Sequence, residues 1–118
     1  MSYHVYWSLD LAINEGQLDA FKALMGEMVE GTLQEEGALA YEWAISEDGK
    51  AVHIYERYVD SAATMIHLQT FGEKFAERFL ACVDPTRFMV YGDPSAEVRA
   101  AMAGLGAAHM AQFNGFTR

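Results

Sequence analysis

Three stretches of this chain alternate apolar and polar residues with a period of two, which is the pattern of half-buried β-strands. They span His4–Ile13, Leu39–Ser46 and Ala51–Tyr58. Between the second and third stretches lies Asp48-Gly49, a dipeptide that strongly favours a two-residue hairpin turn. The pattern therefore predicts one strand near the start of the chain, followed later by two strands that pair antiparallel.

A two-residue turn at Asp48-Gly49 would also set the register of that hairpin. Counting back from the turn gives the expected cross-strand pairs, which are Ile45 with Val52, Trp43 with Ile54, Tyr41 with Glu56, and Leu39 with Tyr58. In this register the more apolar faces of both strands lie on the same side of the sheet. A slip by one residue would place an apolar face beside a mixed one, so the pattern supports this pairing.

The segments between these strands carry apolar residues at helical spacing. The first such segment runs from about Glu15 to Gln34. After the third strand, Asp60 supplies an N-cap acceptor for a helix over Ser61–Thr70. Gly72 should kink or break this helix, and a further helix is expected over Glu73–Val83.

A fourth strand over Thr86–Tyr91 and a last helix over about Ser95–Met110 complete the chain. The order strand, helix, strand, strand, helix, strand is typical of the ferredoxin-like βαββαβ fold, in the α+β class. An antiparallel sheet with both helices on one face satisfies the rules for connections. We expect residues 1–92 to form this domain and residues 93–118 to add a C-terminal helical extension to it.

The face of the sheet away from the helices carries more rings and small residues than a purely solvated face would. Its members, besides several alanines, are His4, Tyr6, Asp10, Glu42, His53, Tyr55 and Arg57. A mixed face of this kind suits packing against a second sheet, with polar pairs inside. We therefore predict a two-fold symmetric homodimer that is joined mainly through this face.

Composition narrows the class of protein. The chain has 118 residues, 17 acidic against 8 basic, and a formal net charge of −9. Because there is no basic stripe, we expect neither nucleic acid nor an anionic membrane as a partner, and no apolar run is long enough to cross a bilayer. The first ten residues lack the basic and apolar regions of a signal peptide, and the single Cys82 cannot form an internal disulfide, so a cytoplasmic location is expected.

Two titratable residues stand out as candidates for chemistry. Glu56 shares the apolar face of its strand with Val52 and Ile54, and burying an unpaired carboxylate is costly, so we expect it to have a partner or to hold a proton. His67, on the following helix, is the nearest titratable candidate. The alternative is that Glu56 is a structural acid bonded to Tyr41 or to backbone, with His67 as a scaffold residue.

Aromatic residues on the same side of the sheet also admit two interpretations. Trp7, Tyr41, Trp43 and Tyr58 all lie on the face that the helices would cover. They are either ordinary core residues or the lining of a flat pocket of aromatic size. A metal site is not expected, because no ligand spacing is found among His4, His53, His67 and His109.

One region resembles the antibiotic biosynthesis monooxygenase (ABM) domain family. A Tyr-Glu strand, a short hairpin, a strand with Glu between aliphatic and aromatic residues, and a helix with a His recur there at similar spacing. In this chain they correspond to Tyr41-Glu42, Asp48-Gly49, Ile54–Tyr58 and His67, within a similarity that covers roughly residues 3–92. The resemblance implies a dimeric α+β barrel and, for some members, oxygen insertion into phenols or quinols without metal or flavin.

This resemblance leads to a specific expectation about function. The chain would be a cofactor-independent monooxygenase that oxidises a small aromatic phenol or quinol with O2. His67 would be the general base, with a pKa near the working pH, Glu56 would orient it, and Tyr58 would hydrogen-bond the developing oxyanion. Trp7, Tyr41 and Trp43 would bind the substrate. The alternative is a non-catalytic dimeric domain that binds a ligand or serves in stress, with haem binding as a weaker option.

Overall fold

Residues 2–118, which the computed structural model describes, form one five-stranded sheet and four α-helices; Met1, at which the predicted domain begins, lies outside the described residues. The strands are β1 (Val5–Ile13), β2 (Ala38–Ile45), β3 (Ala51–Tyr58), β4 (Val83–Gly92) and β5 (Ala108–Met110). The helices are α1 (Leu18–Leu33), α2 (Ser61–Thr70), α3 (Ala76–Cys82) and α4 (Ala96–Met102).

The sheet has the strand order β2-β3-β1-β4-β5. The pairs β2–β3, β3–β1 and β1–β4 are antiparallel, and the short strand β5 adds to the β4 edge in parallel. The first four strands with α1 and α2–α3 have the predicted ferredoxin-like βαββαβ arrangement, and the α+β class is confirmed.

The β2–β3 hairpin has the predicted register at three of the four expected pairs. Tyr41 lies opposite Glu56, Trp43 opposite Ile54 and Ile45 opposite Val52. The fourth expected pair, Leu39 with Tyr58, is wrong. A bulge between Ala38 and Ala40 takes Leu39 out of the ladder and puts Ala38 opposite Tyr58, because a bulge sets two residues of one strand against one of the other.

Two clusters of buried side chains fill the space between sheet and helices. The first joins Phe21, Leu24 and Met28 of α1 to β1, β3 and α3. The second joins Val98 and Met102 of α4, both fully buried, to β1, β3 and β4. Helix α4 therefore covers the same side of the sheet as α1 and α2, and its burial stabilises that layer through the hydrophobic effect.

The kink expected at Gly72 is a single π-helical turn over Phe71–Phe75 that joins α2 to α3 without a loop. Such turns insert one extra residue into a helix and re-aim the side chains that follow. Phe71 and Phe75 both pack against the first cluster from this turn.

The predicted last helix over Ser95–Met110 is wrong in its second half. Helix α4 ends at Met102, a 3₁₀ turn follows over Ala103–Leu105, and Gly106 then adopts a φ of 74°. A left-handed residue ends a helix, so the chain reverses there and forms β5 beside β4. The tail beyond β5 holds Phe113 and Phe116, which are 93% and 79% exposed.

Several side chains on the face of the sheet away from the helices contact one another. The guanidinium of Arg57 lies 4.2 Å from the ring centre of Tyr6, and its Nε donates to His4 Nδ1 at 2.7 Å. Tyr6 in turn stacks on Tyr91 of β4, with ring centres 5.3 Å apart. The rings of His4 and Tyr6, which were expected on this face, therefore lie in one layer with Arg57. The homodimer joined through this face stays a prediction.

Candidate functional site

An imidazole held between two carboxylates lies beneath α2. His67 Nδ1 is 3.1 Å from Glu35 Oε1, and His67 Nε2 is 3.1 Å from Glu56 Oε1. His67 and Glu56 are only 6% and 5% exposed. The two residues that the sequence singled out therefore meet, and a second glutamate completes the cluster Glu35–His67–Glu56.

Strand alternation and a helix cap bring His67 and Glu56 together. Alternation along β3 turns Glu56 towards the helices, where Ile54 and Tyr58 are also buried. The Asp60 side chain accepts from Ala63 N at 2.8 Å, so α2 begins as predicted. His67 follows two turns later on the face of α2 that is buried against the sheet, as Thr64 is one turn earlier.

Glu35 is a site residue that the sequence pattern did not reveal. It lies in the turn between α1 and β2, where its carbonyl accepts from Ala38 N at 3.1 Å. An acidic residue beside another acidic residue, Glu36, in a turn is ordinarily a solvated charge. No periodicity or spacing in the sequence links it to a histidine 32 positions later, so no signal for this contact was available.

The tyrosines around Glu56 are arranged differently from the expected contact between Tyr41 and Glu56. Tyr41 is the cross-strand neighbour of Glu56, as predicted. However, the phenol that donates to Glu56 Oε1, at 2.7 Å, is that of Tyr58. Tyr41 instead sets its ring edge-on to His67, with ring centres 5.5 Å apart. Tyr58 therefore holds the carboxylate, while Tyr41 packs against the imidazole.

The electrostatics of the cluster favour a charged imidazole. Burial by itself lowers the pKa of His67, but the hydrogen bonds and charges of Glu35 and Glu56 outweigh it and raise that pKa to about 9. His67 is consequently an imidazolium at neutral pH, not the neutral base that the sequence analysis expected. Burial, with the charge of Glu56, also raises the pKa of Tyr41 and of Tyr58, so both stay protonated.

Two members of the cluster, Glu56 and His67, line a cavity of about 290 Å³ between the sheet and the helices. Trp7 and Tyr41 line this cavity with Glu56 and His67, as the pocket hypothesis required. Phe79 of α3 is part of its wall.

Two of the predicted site residues do not line this cavity. Tyr58 is fully buried behind Glu56, with its hydroxyl engaged by that carboxylate. Trp43 packs among Phe21, Tyr41 and Phe79. The structure thus brings four of the six predicted residues to the cavity and leaves the other two in the layer behind it.

The arrangement can stabilise negative charge in an apolar space and exchange a proton there. Most of the cavity wall is aromatic or aliphatic, which strengthens the electrostatic effect of the cluster on anything bound. Within residues 2–118, no three His, Cys, Asp or Glu side chains are placed to hold a metal ion together. In the same part of the chain, no helix is both long and apolar enough to span a membrane.

Comparison with known proteins gives a family and several similar structures. A family model described as antibiotic biosynthesis monooxygenase matches residues 8–85. No curated protein matches. The crystal structure of MupZ from Pseudomonas fluorescens is similar at 26% identity and a TM-score of 0.88, with 100% of this chain and 91% of that chain covered.

Two further crystal structures are similar in fold. One is a putative antibiotic biosynthesis monooxygenase from Bacteroides thetaiotaomicron, at 25% identity and a TM-score of 0.63, covering 69% of this chain and 80% of that chain. The other is SnoaB, a cofactor-independent oxygenase from Streptomyces nogalater, at 11% identity and a TM-score of 0.67. That alignment covers 80% of this chain and 97% of SnoaB.

Proposed function

Because this chain belongs to the antibiotic biosynthesis monooxygenase family, we propose that it is a cofactor-independent monooxygenase that oxidises a small aromatic phenol or quinol with O2. The observation that carries the proposal is that Glu56 and His67 line an otherwise apolar cavity, with Glu35 in contact with the other nitrogen of His67. The fold shared with an oxygenase that works without a cofactor is consistent with it.

In the first step of the proposed reaction, the substrate hydroxyl gives its proton to Glu56. A pKa of about 9 leaves only about one His67 in a hundred neutral at pH 7, so Glu56 is the better acceptor. The imidazolium of His67 then stabilises the phenolate that forms, because an opposite charge within a few ångströms favours the ionised state. Both groups line the cavity where the ring would lie.

The oxidation itself draws all its electrons from the substrate. The phenolate passes one electron to O2, and the resulting superoxide and phenoxyl radical combine to form a carbon–oxygen bond at a ring carbon. The hydroperoxide takes up the proton held by Glu56. Loss of the hydrogen from that carbon then breaks the O–O bond and releases water. One oxygen atom stays on the carbon and the other leaves as water, so the step balances without a further reductant.

The remaining predicted site residues have supporting roles in this scheme. Trp7 and Tyr41 would hold the ring of the substrate, because both present aromatic surface to the cavity. Tyr58 would act through Glu56, fixing one carboxylate oxygen by its hydrogen bond. Trp43 would support Tyr41 from behind, with ring centres 5.5 Å apart.

The assembly that we propose is a homodimer in the cytoplasm, joined through the sheet face opposite the helices. On this face the guanidinium of Arg57 lies over the ring of Tyr6 and donates hydrogen bonds to His4 and to Tyr55. A preorganised layer of rings and polar pairs is suited to packing against a second copy of itself.

Oxygen uptake tests this proposal against its alternative. With 1,4-naphthohydroquinone as the probe, the protein should consume O2 and form the hydroxyquinone, whereas spontaneous oxidation gives quinone and hydrogen peroxide. Glu56→Gln keeps the shape of the side chain and should remove the protein-dependent uptake. Uptake that is unchanged in Glu56→Gln would contradict the assignment.

One observation favours the alternative, a domain that binds an aromatic ligand without turnover. Both ring nitrogens of His67 already face carboxylates, so the imidazole has no free position for a second partner. Saturable binding of the probe with no oxygen uptake above the blank would select this alternative.

A further inference from the structure

The cavity has a buried polar end and an exposed apolar rim. Among the described residues that line it, only Glu56 and His67 carry charge, and both are buried. Four lining residues are exposed to solvent, namely Leu80, Pro85, Gly104 and Leu105. We name these four residues the rim. Any ligand with its polar group at Glu56 must therefore direct its other end towards apolar side chains and solvent.

Half of the rim comes from the part of the chain that follows the family match. Gly104 and Leu105 belong to the 3₁₀ turn after α4, whereas the family model matches residues 8–85. This turn is held on one side by Met102, which is fully buried. On the other side it is held by β5, which pairs with β4. The C-terminal segment therefore presents Leu105 to the cavity from a fixed position.

The size of the cavity limits what it can enclose. About 290 Å³ is the space of roughly ten water molecules at about 30 Å³ each, and it lies at the low end of the range for ligand pockets. That space suits one ring or two fused rings. A larger ligand must project past the rim, where Leu80 and Leu105 are 49% and 42% exposed yet still line the cavity.

We infer that the substrate is an amphipathic phenol or quinol with an apolar side chain, which leaves the cavity between Leu80 and Leu105. This inference rests on the proposed function and adds the substrate class to it. The hydroxyl lies at Glu56 and His67, the ring lies in the cavity, and the side chain crosses the rim. Leu105 is the residue that determines which chain lengths fit.

Calorimetric titration with 4-alkylphenols, from 4-methylphenol to 4-octylphenol, tests this inference without requiring turnover. Each methylene that is buried at the rim should tighten binding by about fourfold. The affinity should then level off once further methylenes lie in solvent. Leu105→Trp should weaken binding of 4-octylphenol at least tenfold while changing that of 4-methylphenol less than twofold. Leu80→Trp, at another rim residue, should also weaken binding of 4-octylphenol more than that of 4-methylphenol.

The matched control is Leu33→Trp, which places the same bulk on an exposed leucine at the end of α1 that does not line the cavity. This variant should leave the affinities for all the 4-alkylphenols unchanged. The inference is overturned if no alkylphenol binds, if all chain lengths bind equally, or if Leu33→Trp has the effect of Leu105→Trp.

Failure of this inference and failure of the proposed function give different results. Length-dependent binding that responds to Leu105→Trp, with no oxygen uptake on any alkylated hydroquinone, would support the inference and reject the oxygenase. Oxygen uptake that depends neither on chain length nor on Leu105→Trp would support the oxygenase and reject the inference.

Discussion

At the scale of single residues, the central feature is a positive charge held between two negative ones in an apolar surrounding. Burying one charge is costly, but the imidazolium of His67 has a carboxylate at each nitrogen, which offsets its loss of hydration. The Glu56 carboxylate has Tyr58 as a further donor. Removing His67 would leave two carboxylates close together without the cation that lies between them, so this position should be sensitive in both stability and activity.

The raised pKa of His67 predicts how stability depends on pH. Its pKa is about 9 in the folded protein against 6.5 as the ordinary value, so the folded state binds the proton more tightly. This contribution is fully present below pH 6.5 and is lost as pH rises through 9. At about 1.4 kcal/mol per pKa unit it amounts to about 3 kcal/mol at most.

Urea unfolding at several pH values between 6 and 10 checks this dependence. The free energy of unfolding should fall over that range in the wild-type protein. In His67→Gln it should be lower at pH 6 and nearly independent of pH. Equal pH dependence in the two proteins would show that His67 is not the group responsible.

Glu35 should control the protonation of His67 from its turn. Glu35→Gln removes one of the two neighbouring carboxylates, so the pKa of His67 should fall from about 9 towards 6.5. NMR titration of the imidazole Cε1 proton measures this directly. The matched control is Glu36→Gln, the exposed neighbour in the same turn, which should leave that titration unchanged; an identical shift in both variants would reject the contact.

At the scale of elements, alternation along β2 and β3 was enough to predict their pairing near the turn. It did not predict the bulge at Leu39, which follows shortly after a close approach between distant parts of the chain. At Gly37 a Cβ would lie 2.4 Å from that of Ala63 on α2, and the Gly37 carbonyl accepts from Val59 N at 2.9 Å. This close approach precedes β2 and leaves no trace in its hydrophobic pattern.

The predicted end of the last helix, at Met110, was wrong for a related reason. Apolar residues continue at helical spacing to Leu105, but Gly106 takes a positive φ and the chain turns back to pair with β4. Glycine permits this conformation without steric cost. Whether a glycine permits a turn or is tolerated inside a helix depends on the strand edge that is available nearby.

Two glycine substitutions should therefore have opposite effects on stability. Gly106→Ala places a Cβ at a φ of 74° and should lower the free energy of unfolding by roughly 1 kcal/mol or more. Gly26→Ala lies within α1, where a Cβ would meet no atom within 4 Å, and should raise it by up to about 1 kcal/mol. Thermal unfolding of the two variants checks the signs; a Gly106→Ala protein as stable as wild type would contradict the turn.

At the scale of the whole molecule, the order of elements was sufficient to predict the ferredoxin-like sheet and the side on which Glu56 and His67 meet. Both follow from local periodicity together with strong rules for connections. The positions of Glu35 and of the rim residue Leu105 could not be predicted, since Glu35 reaches His67, and Leu105 reaches the cavity, from a turn. Turns carry no periodicity that would show which way their side chains point.

The proposed dimer should depend on the sheet face that carries Arg57. Tyr55→Asp would bury a carboxylate between the two sheets and should yield monomers in light scattering, because an unpaired buried charge is costly. Ile66→Asp makes a similar change on the exposed side of α2 and should leave the dimer intact. A Tyr55→Asp protein that stays dimeric would reject this face as the interface.

The role of the charged imidazole is tested most directly by the pH dependence of oxygen uptake with 1,4-naphthohydroquinone, measured from pH 6 to 10. An equal concentration of Glu56→Gln protein serves as the blank for spontaneous oxidation. The protein-dependent rate should be highest while His67 is protonated and should fall as pH rises through about 9. A protein-dependent rate that instead rises through that pH, as for a neutral base, or that is absent at every pH, would contradict the account.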